Sequence, residues 1–297
     1  MQYRLWQVVT AIARRLPPRV SYGIAAVAGW LAFYFWPRGR RATISNFGRV
    51  LRPATRSEVR RVARASLVNY CRYLADFIRF GSLSPQAMIE AAKGAENFRE
   101  LDAALQCGKG AIIVCMHFGN WDTGAAAAAA RGYPVTVIAE TFADRRLDEM
   151  VVQSRRRLGM QVIKMEKAGP SLLRALKQNG LLALLIDRPI PGDGVKVKFF
   201  GEDVEVPSGP ARLALRSGAK VVPAAFPRID PNRVDVTTLT DFALDFNATG
   251  EEERDIQCLT QAIMSAHERY VRAYPDQWYM FRDMWPRGTA RASSPAK

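Results

Sequence analysis

His117 and Asp122 stand five positions apart, directly after the apolar run Ala111-Ile112-Ile113-Val114-Cys115-Met116. An imidazole and a carboxylate so placed are the parts needed to take a proton from an alcohol. Neutral imidazole accepts the proton near neutral pH, and a carboxylate on the other ring nitrogen fixes the tautomer and stabilises the imidazolium. The apolar run reads as a strand, and Gly119 lets the backbone turn sharply after it. Thr123 to Arg131 is nearly all alanine, a strong helix former. Asp122 therefore falls in the first turn of a helix, whose dipole favours its ionised form.

Two readings of the pair stand at this point. In one, His117 is a general base and Asp122 its partner. In the other, His117 is a hydrogen-bonded structural residue and Asp122 caps the alanine helix. A metal site has little support: the only other histidine, His267, lies about 150 residues away, and neither Cys-x-x-Cys nor His-x-x-x-His spacing occurs.

Other strand ends carry polar groups as well. Pro134–Ala139 reads as a strand leading to Glu140, and Leu181–Ile186 as a buried strand from which Asp187 and Arg188 emerge abruptly. Between them lies a helix over 145–158 bearing Arg155, Arg156 and Arg157, either a solvated face or a phosphate-binding block. Asp187 and Arg188 are either site residues or a surface salt bridge. No Gly-x-Ser-x-Gly and no Gly-x-x-x-x-Gly-Lys-[Ser/Thr] occurs, so neither a serine on an elbow nor nucleotide hydrolysis is supported. A His–Asp base acting on a substrate hydroxyl remains. Attack of that hydroxyl on an acyl thioester needs no enzyme nucleophile, since a thiol leaves readily.

The elements that would hold these groups alternate. From about residue 88 short apolar strands and helices succeed one another, through a strand at 219–226 to a closing helix at 251–273. That pattern indicates an α/β fold with a mixed, partly parallel sheet flanked by helices on both faces. In such sheets active residues gather at the carboxyl ends of strands.

Ahead of this stands a different kind of segment. Residues 1–80 hold fifteen arginines, no lysine, and only Glu58 and Asp76 as acids, so nearly the whole net charge of +15 lies there. Leu5, Val8, Val9, Ile12 and Leu16 recur at helical spacing, ended by Pro17-Pro18, and Val20–Trp36 then runs seventeen residues without a charge, with Arg38, Arg40 and Arg41 after it. Apolar helix, flanking arginine and edging aromatics together describe an anchor on an anionic membrane surface, something a nucleic-acid binder does not need. Seventeen residues is the lower limit of the roughly 17–25 that span a bilayer, so a buried core helix is an equal reading. A long helix over 57–80 follows. The four cysteines show no paired spacing, which fits a reducing compartment.

His-x-x-x-x-Asp after a strand resembles the acyltransferase motif of the lysophospholipid acyltransferase superfamily. A longer series of blocks is similar to its bacterial branch, the lipid A biosynthesis (lauroyl and myristoyl) acyltransferases together with the phosphatidylinositol mannoside acyltransferases. The blocks are the arginine-rich start through Asn46, Gly108 to Asp122, Arg155 with Gly159, Asp187, Phe199-Phe200-Gly201, Ser208-Gly209-Pro210-Ala211, Gly218 to Pro223, and Pro275-Asp276-Gln277-Trp278. Several lipid A enzymes carry Glu where this chain has Asp122, and the interior Phe118-Gly119-Asn120-Trp121 is closer to the mannoside enzymes.

The resemblance implies a membrane-associated acyltransferase that moves a fatty acyl group from acyl-CoA or acyl carrier protein to a hydroxyl of a glycolipid. His117 and Asp122 would be catalytic. Asn120, Arg155, Asp187, Arg188, Ser208 and Gly209 would lie at the substrate, Arg155 toward a phosphate or the developing oxyanion. No metal or cofactor is expected beyond the acyl donor as co-substrate. The expected partners are an anionic membrane, the glycolipid and the donor, acyl-CoA or acidic acyl carrier protein, without nucleic acid. The expected place is the cytoplasmic face of the cell (inner) membrane, peripheral or held by one short N-terminal helix. A phospholipid or aminolipid O-acyltransferase, or a non-catalytic basic membrane- or nucleic-acid-binding module, is the alternative. The expected organisation is a helical membrane-associating segment at 1–80, the α/β acyltransferase domain at 81–286 and a disordered tail at 287–297.

Overall fold

Every side chain from Ala111 to Cys115 is buried, on both faces of its strand, and that requires a parallel sheet covered by helices on each side. The computed structural model, which describes residues 2–93, 98–190, 192–240 and 243–285, has this arrangement. Four helices open the chain: α1 (Gln2–Arg15), α2 (Pro18–Phe35), α3 (Pro37–Val50) and α4 (Arg56–Arg79). Then come α5 (Pro85–Ala91), β1 (Ala92–Lys93), α6 (Arg99–Gln106), β2 (Ala111–Cys115), α7 (Trp121–Ala130), β3 (Val135–Ala139), α8 (Arg145–Arg157), β4 (Gln161–Lys164), α9 (Ala168–Lys177) and β5 (Leu181–Leu185). A hairpin of β6 (Val195–Phe199) and β7 (Glu202–Val206) leads to α10 (Gly209–Ser217), β8 (Lys220–Ala225), β9 (Val236–Thr237), β10 (Leu239–Thr240) and α11 (Glu252–Ala273).

The main sheet runs β10-β8-β2-β5-β3-β4, parallel except for β10 at one edge. The chain leaves β2 toward β3 but leaves β5 toward β8, so β2 and β5 flank a point where the connections diverge. Crevices at such points are where α/β sheets bind ligands. On one face Ile113, Cys115, Val135 and Val137 pack under the alanines of α7; on the other Ile112, Val114, Leu182 and Leu184 pack against α9, α10 and α11.

The arginine-rich N-terminal quarter shares this core: Phe33, Phe47, Val59, Ala63 and Leu67 belong to the same cluster as Ile112 and Val114. Helix α4 begins at Arg56 rather than at the expected 57, because Thr55 and Glu58 form a capping box. Helix α2 presents two surfaces. Tyr22, Ala25, Gly29 and Phe33 face inward, while Ile24, Val27, Trp30, Leu31, Tyr34 and Phe35 are exposed. Among the described residues no single helix is long and apolar enough to cross a membrane; α2 and α3 pass such a test only together, bent by 92°. The tail expected at 287–297 lies outside the described residues.

Candidate active site

The registration of β2 against β5 brings two distant sequence positions together. Cys115 lies opposite Leu185. The N–H of Ile186 donates to the Cys115 carbonyl at 3.0 Å. Two residues beyond that pair, the His117 ring Nδ1 meets the Asp187 carboxylate at 2.7 Å, and the His117 backbone N–H donates to both carboxylate oxygens at 3.1 Å. Trp278 Nε1–H donates to Asp187 Oδ2 at 3.2 Å. Burial alone would raise the Asp187 pKa. The His117 charge, its ring and backbone hydrogen bonds and the nearby Arg188 outweigh it, and the carboxyl is held below its ordinary value. Nε2 of His117 has no hydrogen-bond partner among the described residues, and the ring retains some solvent exposure.

The loop carrying His117 is clamped along its length. Its carbonyl accepts from Tyr279 N–H at 2.8 Å, Gly119 N–H donates to the Gln277 carbonyl at 2.9 Å, and Asn120 N–H donates to the Phe226 carbonyl at 2.8 Å. Gly119 is obligatory: its φ is 59°, and a Cβ there would lie 2.1 Å from the Phe226 oxygen.

The expectation that Asp122 lies on the other nitrogen of the His117 ring is not met. Asp122 sits in the first turn of α7, where its Oδ1 takes Arg155 Nε at 2.9 Å and its Oδ2 takes Arg155 Nη2 at 3.3 Å and the Tyr73 hydroxyl at 2.8 Å. At its position in that turn Asp122 lies against α4 and the last turn of α8, which present Tyr73 and Arg155 to it. The ring's carboxylate is Asp187, which the sequence offered only as a separate candidate. Asn120, expected at the substrate, is buried with its side chain fully engaged: Oδ1 caps α7 by accepting Thr123 N–H at 3.2 Å, and Nδ2 donates to Asp76 at 2.8 Å.

Arg155 thus closes a buried ion pair beside the loop, and its guanidinium stacks over Phe77. Arg188 lends positive field to Asp187 and to the Tyr70 hydroxyl. Ser208 and Gly209 stand one layer back. Helix α10 runs antiparallel to the strand it precedes, so its N-terminus reaches the carboxyl end of the sheet. There the buried Ser208 hydroxyl bonds Asp193 and accepts from Arg212 Nε at 2.8 Å. Among the described residues no hydrogen bond or ion pair joins either residue to His117.

Sequence reasoning missed the contribution of α4. Ser66, Asn69, Tyr73 and Asp76, at spacings of three and four, form one stripe that bonds the loops of the site: Ser66 to the Trp278 carbonyl, Asn69 to Asp276, Tyr73 to Asp122 and Asp76 to Asn120. A signal was available, since Asp76 is one of two acids among eighty residues. It lies buried against the guanidinium of Arg228, a contact also absent from the sequence expectations.

Beneath Trp121, Asp122 and Arg155 a mainly apolar cavity of ≈ 60 Å³ descends between α7 and the sheet, lined by Ile113, Cys115, Ala125, Ala128, Val137 and Ala183 among others. The small side chains of α7 and of Ala183 leave this space, a narrow slot suited to hydrocarbon and not to a charged group. Among the described residues no three His, Cys, Asp or Glu side chains are grouped to hold a metal ion. The arrangement at the strand ends can accept a proton on an imidazole whose charge a buried carboxylate stabilises.

Known proteins resemble the chain over most of its length. The phosphatidylinositol mannoside acyltransferase of Mycolicibacterium smegmatis is 27% identical over 238 residues, 75% of this chain and 71% of the relative. Its namesake from Mycobacterium tuberculosis is 26% identical over 238 residues, covering 74% and 69%. The profile of bacterial lipid A biosynthesis acyltransferases matches residues 2–287, and the chain belongs to that family of acyltransferases.

Proposed function

We propose that this acyltransferase moves a fatty acyl group from a thioester, acyl-CoA or acyl carrier protein, to a hydroxyl of a membrane glycolipid, with His117 as general base and Asp187 as the carboxylate that orients and charges it. The observation carrying this reading is the 2.7 Å contact between His117 Nδ1 and the buried Asp187, which leaves Nε2 for the acceptor. The acceptor oxygen attacks the thioester carbonyl as its proton passes to Nε2. The tetrahedral oxyanion collapses with cleavage of the C–S bond, and the departing thiolate takes the proton back from the imidazolium. The apolar slot under Trp121, at ≈ 60 Å³, suits a few methylenes at one end of the acyl chain. Asp122 and Arg155, paired at its mouth, hold the first turn of α7 beside the loop.

The acceptor class rests on the mannoside acyltransferase relatives. The setting rests on α2: its exposed Ile24, Val27, Leu31 and Phe35 lie close in sequence to the exposed Arg38 and Arg41, a pairing suited to an anionic leaflet that exposes the site to lipid from the cytoplasmic side. The test is transfer of labelled acyl groups from acyl-CoA and from acyl carrier protein to glycolipid and to lysophospholipid acceptors in phosphatidylglycerol vesicles. Glycolipid should be the acylated product, and His117→Ala should lower turnover on the order of 10²–10⁴-fold without unfolding the protein. Wild-type turnover in His117→Ala would defeat the reading.

A further inference from the structure

Asp76 of α4 touches both the exposed helix α2 and the loop of the base. On one side the Tyr22 hydroxyl of α2 donates to Asp76 Oδ1 at 2.5 Å; on the other Asn120 Nδ2 donates to Oδ2 at 2.8 Å. Arg228 contacts the same oxygen, lies over the Tyr22 ring at 5.2 Å, and through its own backbone N–H bonds Gln277, whose carbonyl holds Gly119. Tyr22, Asp76, Asn120 and Arg228 are all buried, so none of these bonds is exchanged for water at no cost.

Nor is α2 free to shift without moving this node. A Cβ on Gly29 would lie 2.5 Å from Val68 Cα and 2.7 Å from the Leu67 carbonyl, so the backbones of α2 and α4 are in direct contact. Arg79 of α4 reaches back to the carbonyls of Ala13 and Leu16 and to Ser21, pinning the turn into α2. Burial, then the Asp76 charge, push the Tyr22 pKa up, so the phenol stays protonated and remains a donor.

We infer that Tyr22 is a positioning residue for the acyl transfer: through Asp76 and Asn120 it sets the loop that aims His117, and so ties the seat of the exposed helix α2 to the geometry of the base. This rests on His117 being the base. A hydroxyl some residues removed from the chemistry then has a kinetic role and not merely a packing one, because Asn120 stands between His117 and the first turn of α7 and, among the described residues, its side chain has no second tether to α4.

The test uses the full chain in phosphatidylglycerol vesicles with acyl-CoA and glycolipid. Tyr22→Phe keeps the ring and removes the donor. It should lower kcat about tenfold with KM unchanged, the pattern of an interaction that matters in the transition state. Asn120→Ser keeps a hydroxyl able to cap α7 but too short to reach Asp76, and should lower kcat similarly. Because both cut one chain, the double variant should be no slower than the slower single variant. Tyr133→Phe, which removes a tyrosine–aspartate hydrogen bond at Asp102, should leave kcat unchanged. Should Tyr22→Phe fail to fold, Asn120→Ser alone decides. Full kcat in Asn120→Ser, or additive losses in the double variant, overturns the inference. His117→Ala, run alongside, tells the two readings apart: if it is inactive while Tyr22→Phe and Asn120→Ser are fully active, only the role of Tyr22 falls.

Discussion

The His117 loop has two flanks built on different scaffolds. On the sheet flank, backbone registration between β2 and β5 places Asp187 against the ring, and the one backbone N–H of His117, shared between both carboxylate oxygens, locks it there. On the helix flank, α4 offers a stripe of side chains, and each contact to the loop is one hydrogen bond or ion pair reaching across from a neighbouring element. The sheet flank therefore suits a group whose position must hold to a few tenths of an ångström during proton transfer. The helix flank supplies adjustable support whose loss is felt as stability and aim. Both flanks end in a buried aspartate beside the same loop, and substitution tells them apart.

The largest effect is expected on the sheet flank. Asp187→Asn keeps the shape of the side chain but removes the charge that stabilises the imidazolium, so kcat should fall on the order of 10²–10⁴-fold. The acidic limb of the pH–rate profile should move to lower pH, because a carboxylate that favours the protonated ring has gone. Circular dichroism should stay near wild type. An active Asp187→Asn, or an unmoved acidic limb, would mean that the ring does not work through this carboxylate.

On the helix flank Asp122→Asn should act first on stability. It leaves the buried Arg155 guanidinium facing an uncharged partner, and breaking a buried ion pair from one side costs about 3–5 kcal/mol. Urea unfolding measures this directly, and Arg155→Met in the same chain should restore part of the loss. If Asp122→Asn abolished turnover at unchanged stability, the division between the flanks would be wrong and Asp122 would belong with the base.

The same division explains what the sequence could reveal. The strands Ala111–Cys115, Val135–Ala139, Leu181–Leu185 and Lys220–Ala225 were legible because buried parallel strands are largely apolar runs, and Asp187 stood out because a charge followed such a run without transition. That Asp187 is the partner of His117 was not legible: β5 inserts between β2 and β3, and strand order is a property of the folded sheet that local pattern does not encode. The nearer carboxylate in sequence, Asp122, was the natural choice and lies on the other flank. Tyr73 and Asp76 were hidden for a different reason. Polar and apolar stripes of α4 share one helical period, so a polar stripe facing the site looks the same in sequence as one facing water. Phe77 of the same helix packs under the Arg155 guanidinium, and Tyr70 stacks on Tyr73 and packs edge-on against Phe281. The basic excess of residues 1–80 likewise concealed that Glu58 and Asp76, its only acids, have definite tasks, one capping α4 and the other holding Asn120.

The smallest expected effect concerns the second histidine, and it sharpens the comparison by cleaning its pH readout. His267 of α11 is buried, its Nε2 has no partner among the described residues, and burial lowers its pKa from 6.5 to about 4. Above pH 6.5 it is neutral folded and unfolded, and it contributes its full stability. Between 6.5 and about 4 the unfolded chain binds a proton that the folded chain refuses, so stability falls as the pH is lowered, by on the order of 3 kcal/mol at most. An acidic loss of activity in the wild type thus mixes protonation of the base with incipient unfolding. His267→Gln removes the second contribution: the urea midpoint should decline less steeply between pH 7 and 5 than in the wild type. The acidic limb of turnover in that variant should still move when Asp187→Asn is added. Were the slope of stability against pH unchanged in His267→Gln, the buried ring would not be the group resisting protonation. The shift seen on replacing Asp187 would then have to be separated from acid unfolding by some other titrating residue of the core.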